Sequence, residues 1–420
     1  MRILHTSDWH LGKTLEGRSR FKEQEDFIEE LCGIVEEERV ELVLIAGDVF
    51  DTVNPSAAAE QLYYDAFDRL SAGGKRAVVV IAGNHDSPER LRACAPLANR
   101  YGIFIAGFPR DDHLLSTGMK LHGSSRNTSV SLLDGGEGWL KIGVPGAEHP
   151  AVVLTLPYPS EARLQEALAP SLEDEALLRQ CYSDRVASLF RLSLGRYQQQ
   201  YRKVEKGVVI LGVSHLFVRG GWESDSERPI HLGGALAVAP EALPPGAQYI
   251  ALGHLHRPQT VANAPTTVFY SGSPLAYSFS EAGQAKVVAL IELQPGEKAE
   301  VRQLHLSSGR PLVRWRAVGG IEEVKRWIAA GRDADAWIDL EIHVDDALPV
   351  RECGVLRELH EGIVNIRPVL PEMGEEVGIE ERSRLPLDRL FCEFYSRQTG
   401  GGRPDDELVK LFLELVGEEP

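Results

Sequence analysis

The 420-residue chain reads as an α/β protein: a β-sandwich core flanked by helices, then a small α+β capping unit and C-terminal helices. Three observations predict this. Continuous apolar runs alternate with helical patterns through the first half, which is the signature of buried strands layered against helices. Each of the main runs ends abruptly in Asp, Asn or His. The texture changes after Ser308, where the apolar stretches become shorter and more mixed.

"RILHT" (Arg2–Thr6) opens as a short strand, and the following "KEQEDFIEELCGIVEEERV" carries Phe27, Leu31 and Ile34 at helical spacing. "ELVLIAG" is a strand, "AAAEQLYYDAFDRLSAG" a helix closed by Gly73, "AVVVIAG" a strand and "PERLRACAPLANRYG" a helix. "KIGV" and "AVVLTLPYP" add shorter strands. Ser171–Lys203 is expected to be one long helix, with Ser171 and Asp174 as a capping box and Leu177, Leu178 and Val186 on an apolar stripe. "GVVILGVSH" and "QYIALGHLH" are two more buried strands, and "KVVALIEL" with "EVRQLHL" forms a hairpin through Pro295-Gly296. The predicted units are 1–308, 309–371 and 372–420, the last beginning with the polar linker "PEMGEEVGIEERSRLP". Beyond it, Leu387, Leu390, Phe391, Phe394 and Tyr395 share one helix face. Leu408, Leu411, Phe412 and Leu415 share another, behind the acidic turn Asp405–Glu407.

Composition bounds the function. Hydrophobic residues at 43% and charged residues at 25% are ordinary for a globular chain. No apolar run approaches the length of a membrane span, and "MRILHTSDWH" lacks a signal-peptide core, so the expected compartment is the cytoplasm. Five scattered cysteines without a C-x-x-C pair argue against a disulfide framework or a structural zinc site. The net charge of −17 opposes nucleic-acid binding unless local basic patches, bound cations or a partner subunit supply the positive charge.

The strand ends carry the chemistry. Asp8 and His10 follow the first run, Asp48 and Asp51 the second, Asn84, His85 and Asp86 the third, His215 the fourth, and His254 and His256 the fifth. Ligands of open α/β sheets collect beyond the carboxyl ends of strands, so these distant residues can converge. On extended strands, residues two apart point the same way, and each D-x-H or H-x-H pair is expected to grip one ion. Imidazoles mixed with carboxylates suit Mn, Fe or Zn better than Mg or Ca. The ligands exceed the needs of one ion, and two ions about 3.5–4 Å apart would use them all. Taken singly, each Asp reads as a turn residue and each His as a core group. Five such strand ends together point to a site.

These motifs, Asp8-x-His10, Gly47-Asp48, Gly83-Asn84-His85-Asp86, His215 and Gly253-His254-x-His256, resemble the signature of calcineurin-like metallophosphoesterases. With "YSGSPLAYSFSE" and the openings around each motif, the chain more closely resembles the SbcD nuclease subunits of that superfamily. The resemblance implies that Asp8, His10 and His256 hold one metal, that Asn84, His215 and His254 hold the second, and that Asp48 bridges them. His85 would remain unligated and act on the phosphate, with Asp86 behind it as an orienter. Asp51 receives no catalytic role. The resemblance further implies dimetal hydrolysis of DNA phosphodiesters with Mn as the expected ion, acting as a 3′–5′ double-strand exonuclease and a single-strand or hairpin endonuclease in repair and recombination. The implied partners are DNA, an SbcC ATPase docked on the C-terminal helices, and a second copy within a heterotetramer. Lys13, Arg18, Arg20, Arg90, Arg92 and Arg219 are candidate phosphate contacts on loops near the motifs. The alternative is a small-molecule or cyclic-nucleotide phosphodiesterase with the same dimetal core.

Overall fold

A computed structural model describes residues 1–114, 128–164, 175–201, 207–227, 237–345, 348–370, 386–398 and 403–416. It divides into two compact units, Met1–Gly309 and Arg310–Pro420.

In the first unit two sheets lie face to face. One contains β1 (Arg2–Thr6), β4 (Leu42–Ile45), β5 (Ala77–Ile81), β6 (Ile103–Ala106), β14 (Val287–Glu292) and β15 (Glu300–His305), in the order β15-β14-β1-β4-β5-β6. β1, β4, β5 and β6 are mutually parallel, and the predicted hairpin β14–β15 closes the edge antiparallel to β1. The other contains β7 (Ser131–Gly136), β8 (Trp139–Gly143), β9 (Ala151–Leu156), β10 (Val209–His215), β11 (Tyr249–Gly253), β12 (Gln259–Thr260) and β13 (Thr267–Tyr270), in the order β12-β13-β11-β10-β9-β8-β7. A small hairpin, β2 (Thr14–Leu15) with β3 (Arg18–Ser19), stands apart. β2, β3, β6, β7, β12 and β13 are strands the sequence reading did not anticipate.

Alternation along β4 shows how the layers form. Leu42 and Leu44 join Val79, Ile81, Val153, Leu211 and Val213 in the core between the sheets. Val43 and Ile45 face the opposite way, against Phe27, Leu31 and Val35 of α1 (Phe21–Glu37) and Leu62, Phe67 and Leu70 of α2 (Ala57–Ser71). The outer face of the second sheet packs Val152 and Leu154 under the helix Glu175–Gln200 through Tyr182, Val186 and Phe190. The proposed cap at Ser171–Asp174 lies outside the described residues.

One predicted helix is broken. The stretch read as continuous from Pro88 folds as Pro88–Arg92, then Ala95–Ala98, then a 3₁₀ turn at Asn99–Tyr101. Pro96 sits in the first turn of the second piece, where its missing N–H costs nothing; inside a longer helix it would remove a hydrogen bond and clash with the preceding turn.

In the second unit, β16 (Leu312–Ala317), β17 (Trp337–His343) and β18 (Ile363–Val369) form a three-stranded parallel sheet. Val324 of the helix Gly320–Ala329 and Leu356 of the helix Val350–Leu359 pack on one face with Trp315, Ile338, Leu340 and Ile342. The other face presents Arg314, Arg316 and Arg367 paired with Asp339 and Glu341. The unit also contains the helices Leu387–Gln398 and Asp406–Val416, joined by stacked Phe391 and Phe412 with centroids 4.2 Å apart. Phe394, Leu411 and Leu415 remain exposed. The predicted linker falls in 371–385, outside the described residues. No helix among the described residues is long and apolar enough to cross a membrane.

Candidate metal centre

The carboxyl ends of β1, β4 and β5 from one sheet meet those of β10 and β11 from the other, and Asp8, His10, Asp48, Asn84, His85, His215, His254 and His256 gather there. Three groups, Asp8 with His10 and His256, His10 with Asp51 and His85, and Asp8 with Asp48 and His215, each bring their ligand atoms within 4.8 Å of one another.

The backbone that achieves this is not strand. β1 ends at Thr6 and β11 at Gly253, so the expectation that strand alternation aims Asp8 with His10, or His254 with His256, is incorrect. Asp8, His10, Asp48 and His254 instead adopt positive φ of 54°, 45°, 50° and 104°. Such conformations cost non-glycine residues on the order of 1–3 kcal/mol each and persist only where the surroundings enforce them. Here the loop after β1 runs alongside the loop after β4: Asp8 N–H donates to Gly47 O (3.0 Å), His10 N–H to Asp48 O (3.0 Å) and Leu11 N–H to Val49 O (2.9 Å). Gly83 and Gly253 allow the close approach, since a Cβ on Gly83 would collide with the Asp48 carboxylate and one on Gly253 with Ala46 O. The H-x-H pair is therefore split, with His256 beside His10 and His254 beside Asn84.

On the first side, His10 Nε2 and His256 Nε2 are 3.1 Å apart. His256 Nδ1 contacts Ser226 Oγ at 2.6 Å, and Ser226 Oγ–H reaches the Glu281 carboxylate. Because an ionised carboxylate only accepts, Ser226 Oγ–H donates to Glu281 and Ser226 Oγ accepts from His256 Nδ1–H, which turns Nε2 toward His10. Burial disfavours charge on His256, but Glu281 outweighs it and raises the imidazole above its usual value. Lys286 Nζ caps Glu281 and also donates to Ser273 Oγ (3.0 Å) and His256 O (3.1 Å). Burial opposes ionisation of Glu281, but His256 and Lys286 outweigh it and hold the carboxyl well below its usual range. Glu227 accepts the His256 backbone N–H at 2.8 Å. Burial drives His10 down to about 3, so it is neutral, and its Nδ1 lies 3.4 Å from Asp51 Oδ1 without hydrogen-bond geometry.

On the second side, His215 Nδ1–H donates to Ala46 O (2.9 Å), so Nε2 faces Asn84 Oδ1 (2.8 Å) and Asp48 Oδ2 (3.4 Å). His254 Nδ1 is 3.3 Å from the same amide oxygen, and its backbone N–H donates to Asp8 at 3.0 and 3.1 Å. Burial disfavours charge on His215, yet Asp48 outweighs it and raises the imidazole to about 9. Asp48 is likewise held well below the normal carboxyl range, burial being overcome by His215, with help from His85 and His10. Burial raises Asp8 to about 6.

Both sides thus aim ring nitrogens and oxygens at one another across a buried gap, an arrangement that needs a proton or a metal cation between them. The mixed N/O donors fit a pair of divalent ions.

His85, grouped with His10 and Asp51, is held by contacts of its own. Its Nδ1 donates to Asp51 O (2.7 Å), its backbone N–H to Asp48 Oδ1 (2.8 Å), and its Nε2 is 3.9 Å from Asp48 Oδ2. Asp86 does not touch the imidazole. Its carboxylate accepts backbone N–H groups of Gly83 (2.8 Å), Phe50 (2.9 Å) and Val49 (3.3 Å), fastening the β5 turn to the β4 loop. Arg163, from the short helix after β9, donates to Gly83 O and Asp86 O, both at 2.7 Å.

The sequence reading missed Asp51, which faces His10, His85 and Lys13, and the prop formed by Ser226, Glu227, Glu281 and Lys286. Glu281 closes the "YSGSPLAYSFSE" stretch and Asp51 closes "GDVFD", but nothing local marks either as facing the site. Of the proposed phosphate contacts, Arg20 is corrected: its guanidinium is buried and donates to Glu23 (2.5 and 2.7 Å) and to Ala276 O (2.8 Å), so it cannot reach a ligand. Lys13 pairs with Asp51 (2.9 Å), Arg90 with Glu60 (2.8 Å) and Arg92 with Asp111 (2.7 Å), while Arg18 and Arg219 are exposed.

The family described as calcineurin-like phosphoesterase matches residues 1–258. The chain is 48% identical, over 99% of its length and 98% of the relative's, to the SbcD subunit of the SbcCD nuclease from Bacillus subtilis (strain 168). It is 34% identical to the corresponding SbcD protein of Rhodobacter capsulatus, covering 76% of this chain and 72% of the other. The Escherichia coli K12 SbcD protein is 29% identical over 100% and 94%.

Proposed function

Since the chain belongs to the calcineurin-like phosphoesterase family, in its branch of SbcD nuclease subunits, we propose that it hydrolyses DNA phosphodiester bonds at a two-metal centre, with Mn as the working ion. The observation that carries this reading is the buried meeting of His215 Nε2 with Asn84 Oδ1 (2.8 Å) and Asp48 Oδ2 (3.4 Å), where a cation would take the place of the proton that His215 otherwise holds.

Asp8, His10 and His256 would hold one ion, Asn84, His215 and His254 the other, with Asp48 shared between them. Bound ions would supply charge neutralisation at the phosphate and activation of water. The protein does the rest. Asp51 O fixes the His85 tautomer by accepting a hydrogen bond from its Nδ1–H, so Nε2 faces the centre. Once protonated, that nitrogen can donate to the departing alkoxide oxygen. Asp86 and Arg163 hold the turn that presents Asn84 and His85 together. His85→Asn is expected to retain both ions by elemental analysis while turnover falls by roughly 10²–10⁴.

The capping and DNA-selecting role belongs to residues 309–371, whose sheet offers Arg314, Arg316 and Arg367. Arg18 and Arg219 are the phosphate contacts that remain exposed, with Lys13, Arg90 and Arg92 able to join them only by leaving their carboxylate partners. The exposed Phe394, Leu411 and Leu415 support docking of an SbcC ATPase on the terminal helices. Tyr64, Leu97 and Tyr101 are 47–65% exposed around an apolar hollow with Phe67 and Cys94, which supports pairing with a second copy. Action on cellular DNA supports a cytoplasmic location.

The test is cleavage by the purified full chain with Mn of linear duplex, hairpin DNA and a cyclic nucleotide, with and without the SbcC ATPase and ATP. DNA cleavage lost on chelation is expected. Turnover of the cyclic nucleotide alone would replace this reading with a small-molecule phosphodiesterase.

A further inference from the structure

The loop that leaves β10 reads "VRGGWESDSE" (Val218–Glu227) and carries an indole with no place in the core. Of the six tryptophans, Trp222 alone belongs to the exposed class, at 69%. Exposing so large an apolar surface is unfavourable unless something covers it.

The loop is nevertheless built to hold that ring. Gly221 packs so closely on Leu255 and Val218 O that a side chain there would have to displace Leu255, and Gly220 has φ +90°. Gln259 clamps the tryptophan backbone from both sides, its Oε1 accepting Trp222 N–H (2.8 Å) and its Nε2 donating to Trp222 O (3.0 Å). The Arg257 guanidinium lies 5.6 Å from the ring centroid. A cavity of about 440 Å³ opens beside the ring, lined by Arg219, Trp222, Gln259 and Asn263, with Glu241 as its carboxylate.

This platform is coupled to the metal centre at two points. Ser226, four residues beyond Trp222, bonds His256 Nδ1, and Glu227 accepts the His256 N–H. Arg257 directly follows His256. An aromatic face flanked by two arginines is the element that holds unpaired bases, stacking being indifferent to sequence.

We propose that Trp222 is a stacking platform for one unpaired base of the DNA strand entering the centre, with Arg219 and Arg257 on the adjoining phosphates. This rests on the nuclease reading above and specifies the form of the substrate: a frayed end or single-stranded nucleotide rather than intact duplex at that position. The amide groups of Gln259 and Asn263 give the cavity polar edges without restricting it to one base.

The experiment uses the full-length protein, with oligo(dT) of 12 nucleotides and a blunt duplex of the same length as probes. In chelator, oligo(dT) is expected to quench the Trp222 emission, identified as the difference between wild type and Trp222→Phe, more strongly than the duplex does. Trp222→Ala is expected to weaken oligo(dT) binding about tenfold and raise the KM for its Mn-dependent cleavage similarly, and Trp222→Phe to restore most of both. If wild type cleaves DNA but Trp222→Ala matches it in affinity and KM and no quenching occurs, the platform is overturned and the nuclease reading stands. A wild-type protein that cleaves no DNA with Mn, with or without the SbcC ATPase and ATP, overturns the nuclease reading itself, whatever the emission does.

Discussion

The two sides of the metal centre are supported by different materials. His10 and His256 lean on side chains: Asp51 for the first, and Ser226 backed by Glu281 and Lys286 for the second. His215 leans on the main chain through Ala46 O, and His254 is anchored by its own backbone N–H, which donates to the Asp8 carboxylate. A side-chain prop can be removed or retuned by one substitution. A main-chain prop is fixed by the sheets themselves. The His10–His256 side should therefore be the adjustable half of the centre and the His215–His254 side the invariant one.

The largest expected effect abolishes the comparison. Asp48 faces His10, His85 and His215, so Asp48→Ala should lose both ions by elemental analysis and reduce phosphodiester turnover to background. Retention of one full equivalent would show that the two sides load independently of Asp48.

A pH series probes the invariant side. His215 is raised from 6.5 to about 9 in the ion-free protein, chiefly because Asp48 overcomes burial. Its protonated form is favoured by folding, so the stability it contributes is full below about 6.5 and is lost as pH rises through about 9. The melting temperature of chelated protein should fall over that interval. An entering ion must displace the same proton, so affinity should rise with pH, by up to about tenfold per unit below about 9. A flat affinity from pH 7 to 9 would detach His215 from the site.

Removing one prop should unbalance the halves. Ser226→Ala is expected to weaken one ion by roughly 10–100-fold while leaving the other in place, read by calorimetric titration with Mn. Equal weakening of both would mean that the halves share their support. The smallest effect is reserved for Lys13→Ala, which frees Asp51 from its cation and should alter ion affinity by about twofold to fivefold.

Much of this was legible in the linear chain. Buried strands ending in Asp, Asn and His announced both the layered fold and the place of the site, because apolar continuity and the desolvation cost of polar groups are local properties. How the ligands converge was not local. Period-two alternation predicts that Asp8 and His10 point together, whereas left-handed backbone and the pairing of two loops decide their direction. Arg20 looked like a phosphate contact because its acceptor at Ala276 is 256 residues away, although Glu23 at i+3 was a readable hint. Asp51 was taken for a turn residue, since only the assembled loops show the imidazoles it faces. Pro96 was a visible break in the helix after β5, and helical spacing alone concealed it.

Arg163 gives the centre a mechanical character. It grows from the segment that trails the second sheet, yet it grips the carbonyls of Gly83 and Asp86 in a turn belonging to the first. The distance between the two layers is thereby transmitted to Asn84 and His85, one a metal-facing amide and the other a proton carrier. A force that spreads or compresses the sandwich would be felt at both groups together, so the turn acts as a gauge of how tightly the layers are closed.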